Sequence, residues 1–361
     1  MDNITSRTIE RLRFPMTVLV LFIHVLPFAA SQGGIEYTFP FNTDSWSHRF
    51  IYFFNWIFPR VAVPMFCIIS GYLFFQGLNT VDCFKEKYKL KLKSRVKTLL
   101  IPYLLWNIIF EIWRLFMISS DKLELLPKSF FLLCKEIFNS FWGMYAPSDA
   151  PLWYVRDLMA VMVLAPIIFF VINKCGKYVV IVLTFIWLLG LWPRLPIVPG
   201  IDIILFVTWG AYFAMKGIEP FRKMASLTGY WPVYIISLLW AVWEYDELAY
   251  NFPIRLSILL GLSLVSALFL YIDKHEMNVP KILTASSFFT YCLHWIYVAP
   301  LTSCVVFMIQ PESEITVVLI YFACIFLTLI ISLLSFLITS LFVTFSLTII
   351  LHFNTFFPNL A

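Results

Sequence analysis

The chain has 361 residues, of which 61% are hydrophobic and 13% charged, with a formal net charge of +5. Soluble domains carry about 25% charged residues, so a soluble globular class is excluded and an integral membrane protein is indicated. The apolar runs are continuous and of helical length rather than alternating, which also excludes an outer-membrane barrel.

Taken in chain order, the apolar runs predict about ten membrane-spanning helices. They cover residues 12–30, 50–78, 98–118, 152–173, 178–193, 199–215, 230–245, 253–272, 282–309 and 315–345. Arg7, Arg11 and Arg13 precede the first span, and Ala29-Ala30-Ser31 follow it. That pattern imitates a cleavable signal peptide, but His24 in the apolar stretch and the many later spans argue for retention. The second span is interrupted by Pro59 and Pro64. Lysines and arginines collect on one side, in the 85–97 run, at Lys174 and Lys177, at Lys216, Arg222 and Lys223, and at Lys274 and Lys281. The other side receives Glu244, Asp246, Glu247, Glu312 and Glu314, with the mixed segment 119–150 as a long external loop. The positive-inside rule then places both termini in the cytoplasm. The expected fold is an all-α bundle of about ten transmembrane helices forming one domain, residues 1–361. The seven cysteines form no C-x-x-C pair. They read as small buried hydrophobes, with no metal site and no disulfide framework.

Ionisable groups inside spans are costly and therefore candidate functional residues. Arg13 and His24 are eleven residues apart, close to three helical turns. They share a helix face about 16 Å apart along the axis, with His24 expected near mid-membrane. That spacing suits an extended substrate with an anionic end on Arg13 and a reactive end at His24. A bonded neutral histidine and a topological arginine are the plainer reading. Arg60 lies between Pro59 and Pro64, where a weakened helix can line a cavity. Ser70-Gly71 follows, readable as small-residue helix packing or as a polar contact in the site. In the basic run, most lysines fit topology and attraction to anionic lipid. Arg95 and Lys97, at the mouth of the third span, are placed to hold phosphates. Trp153, Tyr154 and Arg156 open the fourth span. Arg156 can pair with Asp157, and the aromatics can form an interfacial belt. Ser287, Tyr291 and His294 fall on one face of the ninth span, with His294 at a depth like that of His24.

These stretches together resemble acyltransferase family 3, the multi-spanning membrane O-acyltransferases of bacterial cell-surface sugars. The resemblance is carried by Arg13-x10-His24, by Arg60 with Pro64 and I-S-G-Y-L (69–73), and by R-V-K-T-L-L-I-P-Y-L-L-W (95–106). P-L-W-Y-V-R-D-L (151–158) and S-F-F-T-Y-C-L-H (287–294) complete the set, in order over about residues 7–300. One departure is Thr98, where a second arginine is common. Lys97 binds phosphate without arginine's bidentate fork.

The resemblance implies transfer of an acyl group, most often acetyl, from acyl-CoA to a hydroxyl of a cell-surface glycan or lipid-linked sugar. It implies an essential first-span histidine and location in the bacterial inner membrane. Under it, His24 is the catalytic base or acyl carrier, and Arg13, Arg95 and Lys97 hold the donor. Arg60, Ser70 and His294 position the acceptor or the oxyanion, while Trp153, Tyr154 and Arg156 bind the acceptor. The only co-substrate expected is acetyl-CoA or another acyl-CoA, with no metal. The partners are the glycan and membrane lipids, with no nucleic acid. A secondary transporter, or a component of a polysaccharide export system, is the rival reading, since broken helices and mid-membrane charges also describe carriers.

Overall fold

The computed structural model describes residues 3–32, 35–39, 45–117, 138–139, 141–142, 147–192, 199–244, 252–277 and 279–356. Of segment 119–150, expected as the external loop, only 138–139, 141–142 and 147–150 are among the described residues, and Asp246 and Glu247 lie outside them.

The described chain is helical but for one hairpin, as a bilayer requires: backbone groups without water must bond within their own segment. Among the described residues five helices are long and apolar enough to cross a membrane. They cover Trp46–Phe75, Val81–Phe116, Phe252–Lys274, Lys281–Ile309 and Glu314–Phe342. A sixth crossing is formed if the bent pair at 150–175 is one span. Several spans differ from the lengths expected of them.

Helix α1 runs Asn3–His24. It starts earlier and stops sooner than residues 12–30, so Arg13 is mid-helix and His24 is its last residue. Beyond it, β1 (Ala29–Gln32) pairs antiparallel with β2 (Ile35–Thr38), Ala29 opposite Thr38. The Tyr37 hydroxyl donates to the carbonyl of Pro311, tying this hairpin to the start of the last helix.

The second span is continuous despite its prolines. It passes from α2 (Trp46–Tyr52) through a π-turn (Phe53–Ile57) and a 3-10 turn (Phe58–Val61) into α3 (Ala62–Phe75). The change of helix type absorbs Pro59, which lacks the N–H a regular turn would use.

Helix α4 (Val81–Arg95), capped by Thr80, runs through a π-turn into α5 (Ile101–Met117). The basic run and the third span are thus one rod of 36 residues. Lys91 is not left to lipid: its ammonium donates to the carbonyls of Leu73, Phe74 and Gln76, at 3.3, 2.7 and 2.6 Å. It thereby caps the carboxyl end of α3, where four carbonyls lack intrahelical partners.

Helices α6 (Trp153–Val163) and α7 (Ala165–Cys175) meet at a bend of 63°. There follow α8 (Lys177–Leu188), α9 (Ile201–Met215), the short α10 (Pro220–Ala225), α11 (Trp231–Trp243), α12 (Phe252–Lys274), α13 (Lys281–Ile309) and α14 (Glu314–Phe356). Some of the hydroxyls buried in these apolar helices return to carbonyls one turn back, as Ser266 does to Leu262 and Thr302 to Val298, which satisfies those without a partner helix.

The tightest pairing is between α3 and α9. Gly71 sits against the backbone of Val207, and Gly210 against the backbone of Ile68 and Tyr72. Of the two readings of Ser70-Gly71, the glycine is therefore a packing residue. Helix α1 packs mainly on α13, and α13 on α14. That arrangement brings the end of α1 to the middle of α13.

Candidate active site

The end of α1 is held from two sides. Asn55, in the π-turn, donates from its amide to the carbonyls of Phe22 and Val25, both at 3.2 Å. Tyr321 on α14 donates its hydroxyl to Phe22 at 2.9 Å. These bonds occupy carbonyls that the helix end leaves open and fix the ring carried by His24. Neither residue was singled out from sequence. Asn55 had a signal, a carboxamide in an otherwise apolar run.

His24 Nδ1 lies 2.9 Å from the carbonyl oxygen of Val20. His294, fully buried on α13, brings its Nε2 to 3.3 Å from the same His24 Nδ1, and its own Nδ1 lies 2.6 Å from the carbonyl of Tyr291. The two imidazole centres are 5.1 Å apart, and Trp295 stands edge-on to His24 at 5.2 Å. Arg60 lies within electrostatic range of His24, with its guanidinium 4.1 Å from the centre of the Trp56 ring. Arg60 is carried by the 3-10 turn that accommodates Pro59.

Three of the residues expected in the site therefore come together: His24, His294 and Arg60. A second group forms beside them. Ser70 Oγ and the buried Tyr154 hydroxyl are 3.1 Å apart. Arg95 stands near Tyr154 and 5.9 Å from the Phe74 ring. Tyr291 joins the two groups. It lies within electrostatic range of Tyr154, its carbonyl faces His294, and its hydroxyl donates to the carbonyl of Pro151. Arg156 is buried and paired with Asp157 at 2.9 Å, whose other oxygen accepts from the amide of Gly200. Trp153 is half-buried, while Arg13 and Lys97 are exposed.

At the amino-terminal end of α1 is a cavity of about 680 Å³. Arg7, Arg11, Arg222 and Lys274 line it together with Asp273 and Glu276. Asp273 receives Arg7 through two bonds of 2.8 and 3.0 Å and also pairs with Arg11. Four cations thus face two carboxylates.

Near the other end, Asp149 is fully buried just before α6. Its amide donates to the Asn107 side chain at 3.2 Å. Neither of its carboxyl oxygens has a hydrogen-bond partner among the described residues. Burial pushes its carboxyl up to about 8.

A helical membrane protein with a paired histidine site deep between its helices and a basic cavity at the far end of the same helix fits a membrane-embedded group-transfer enzyme. Comparison with known families agrees. The chain belongs to the acyltransferase 3 family: the family model, described as an acyltransferase domain, matches residues 7–337. It is 25% identical over 238 residues to the succinoglycan biosynthesis protein ExoH of Rhizobium meliloti (strain 1021). The similarity covers 61% of this chain and 56% of that protein, so the chain spans just over half the length of this relative. No solved structure matches.

Proposed function

We propose that the protein is a bacterial inner-membrane O-acyltransferase that moves an acyl group, acetyl in the simplest case, from acyl-CoA to a hydroxyl of a cell-surface polysaccharide or its lipid-linked precursor. The observation that carries this reading is the placement of His24, held by Asn55 and Tyr321 and flanked by His294 and Arg60, within a chain of the acyltransferase 3 family. The name of the relative, a succinoglycan biosynthesis protein, supports a polysaccharide as the acceptor.

In the proposed reaction the His24 ring takes the proton of the acceptor hydroxyl as its oxygen attacks the thioester carbonyl. The carbonyl oxygen becomes an oxyanion, for which Arg60, a cation within electrostatic range of His24, is the candidate partner. Collapse of the intermediate breaks the carbon–sulfur bond. The departing coenzyme A thiolate takes the proton back from His24, leaving an O-acyl sugar and a free thiol. In the two-step variant His24 is itself acylated and then passes the group on.

Donor phosphates are assigned to the basic end of α1 and α4: Arg13, Arg95 and Lys97, with the cavity at Arg7, Arg11, Arg222 and Lys274. Ser70 and Trp153 border the acceptor path, with Tyr154 and Arg156 forming its wall. The remaining short apolar helices, α8, α9 and α11, complete a bundle of about ten crossings with both termini cytoplasmic.

The test is transfer of labelled acetyl from acetyl-CoA in membranes, comparing wild type with His24→Ala and Arg13→Ala. Loss of transfer in His24→Ala is expected. Full activity in that variant would sink the reading. Intact glycan export with acylation lost separates the enzyme from a component of the export machinery.

A further inference from the structure

The two histidines do more than lie close together. A carbonyl oxygen can only accept a hydrogen bond. His24 Nδ1 faces the carbonyl of Val20 at 2.9 Å, so this nitrogen carries the hydrogen. His294 Nδ1 faces the carbonyl of Tyr291 at 2.6 Å and carries its hydrogen for the same reason. In a neutral imidazole the other nitrogen is then a lone pair. His294 Nε2 is consequently an acceptor, and it points at His24 Nδ1 across 3.3 Å. The hydrogen on His24 Nδ1 is shared between Val20 and His294. His24 Nε2 is left as the basic nitrogen of the pair.

We infer that His294 is a positioning residue: it accepts from His24 Nδ1, locks His24 in the Nδ1–H tautomer, and so makes Nε2 the atom that takes the acceptor's proton. This rests on His24 being the base, and it goes further by naming the nitrogen and its partner. The arrangement follows the logic of triads in which a third group orients the base, with a neutral ring in place of a carboxylate. When Nε2 takes the hydroxyl proton, His24 becomes an imidazolium whose Nδ1–H is already donated to two acceptors, Val20 O and His294 Nε2. The positive charge strengthens both bonds at that moment. The second histidine thus stabilises the transition state without exchanging a proton. His294 is itself held by the backbone of its own helix and is fully buried, so its lone pair has a fixed direction.

Glutamine and asparagine separate this role from packing. A glutamine amide oxygen reaches the position of the histidine Nε2, whereas an asparagine amide reaches only the Nδ1 position. His294→Gln, His294→Asn and His294→Leu are purified in detergent, checked for monodispersity and melting temperature, and assayed for acetyl transfer. One charge-assisted bond lost from the imidazolium corresponds to a fall of about tenfold to a hundredfold in kcat. That fall is expected in His294→Leu and His294→Asn, with the KM for acetyl-CoA changed less than about twofold. His294→Gln is expected to recover most of kcat. Equal activity of the folded Gln and Asn variants, at any level, would overturn the assignment, as would a fully active Leu variant. If Leu does not fold, the Gln and Asn comparison decides alone. Loss of activity in His24→Ala together with equal Gln and Asn variants would refute the role of His294 while leaving His24 as the base.

Discussion

The crossing of α3 and α9 provides the sharpest test of how this bundle is held together. A Cβ built on Gly210 would lie 2.1 Å from the carbonyl oxygen of Ile68 and 2.6 Å from the amide of Tyr72. One built on Gly71 would lie 2.2 Å from the carbonyl oxygen of Val207. Ordinary contact begins at 3.4 Å, so the shortfalls are 1.3 and 1.2 Å. The obstructing atoms are backbone and cannot swing away. Gly210→Ala must therefore push the two helices apart along their whole contact. Overpacking of a core costs about 1–3 kcal/mol when side chains can move, and a rigid backbone obstacle lies at or above the upper figure. In a membrane this packing is the principal source of helix association, because lipid tails solvate apolar side chains as well as a neighbouring helix does.

Ser70 precedes Gly71 and bonds Tyr154, so separation of α3 also displaces that contact. The expected outcome for Gly210→Ala is a lower melting temperature in detergent and reduced acetyl transfer. Gly71→Ala should do the same. The double variant should cost clearly less than the sum, because the first methyl opens the space the second needs. Additive losses, or a Gly210→Ala protein that melts and works like wild type, would refute the reciprocal contact.

Asn55→Leu removes two bonds and strands the carbonyl of Val25, while that of Phe22 keeps its bond from Tyr321. At about 1–3 kcal/mol per buried unpaired group, it should lower the melting temperature, and it should reduce kcat more than a surface substitution such as Lys93→Ala. Asp149 is protonated more readily in the folded chain, its carboxyl raised from 3.8 to about 8, so the folded state binds more protons between those values. Stability should therefore fall as pH rises from about 4 to 8 and level off above. At about 1.4 kcal/mol per pH unit the loss amounts to several kcal/mol. Melting curves of Asp149→Asn between pH 5 and 8 should be flatter than those of wild type. Reversal of the two cavity cations not engaged by Asp273, Arg222→Glu with Lys274→Glu, should raise the KM for acetyl-CoA at least tenfold with kcat changed little. An unchanged KM would remove the cavity from the donor site.

The candidate site was partly legible in sequence for a definable reason. His24, Arg60 and His294 stand out because each is a polar group in an apolar run, where desolvation makes an unexplained ionisable residue expensive. Asn55 carried a weaker form of that signal. Tyr321 and Trp295 carried none, because aromatic residues are ordinary in such helices. Lys91 looked like one lysine among many. Its role as a cap depends on where α3 ends relative to α4, which no spacing along the chain encodes. Tyr154 and Arg156 are candidates for substrate contact in the sequence, and the fold gives each an internal partner as well, Ser70 and Asp157. The same limit explains the spans. Hydropathy located the apolar runs, but the continuous rod from Val81 to Phe116 and the bend between α6 and α7 depend on backbone geometry at their junctions.

By itself the sequence determined that this protein enters a membrane, that its structure is helical, and which few residues are costly to bury. Those properties depend on composition and local pattern, because apolar transfer and backbone satisfaction are decided segment by segment. Only the tertiary structure decided that His24 and His294, 270 residues apart, meet at 3.3 Å, that Asn55 and Tyr321 fasten the end of α1, and that reciprocal glycines let α3 and α9 touch. Those contacts depend on how helices cross. Crossing is set by the shapes of two surfaces at once, and neither surface contains that information alone.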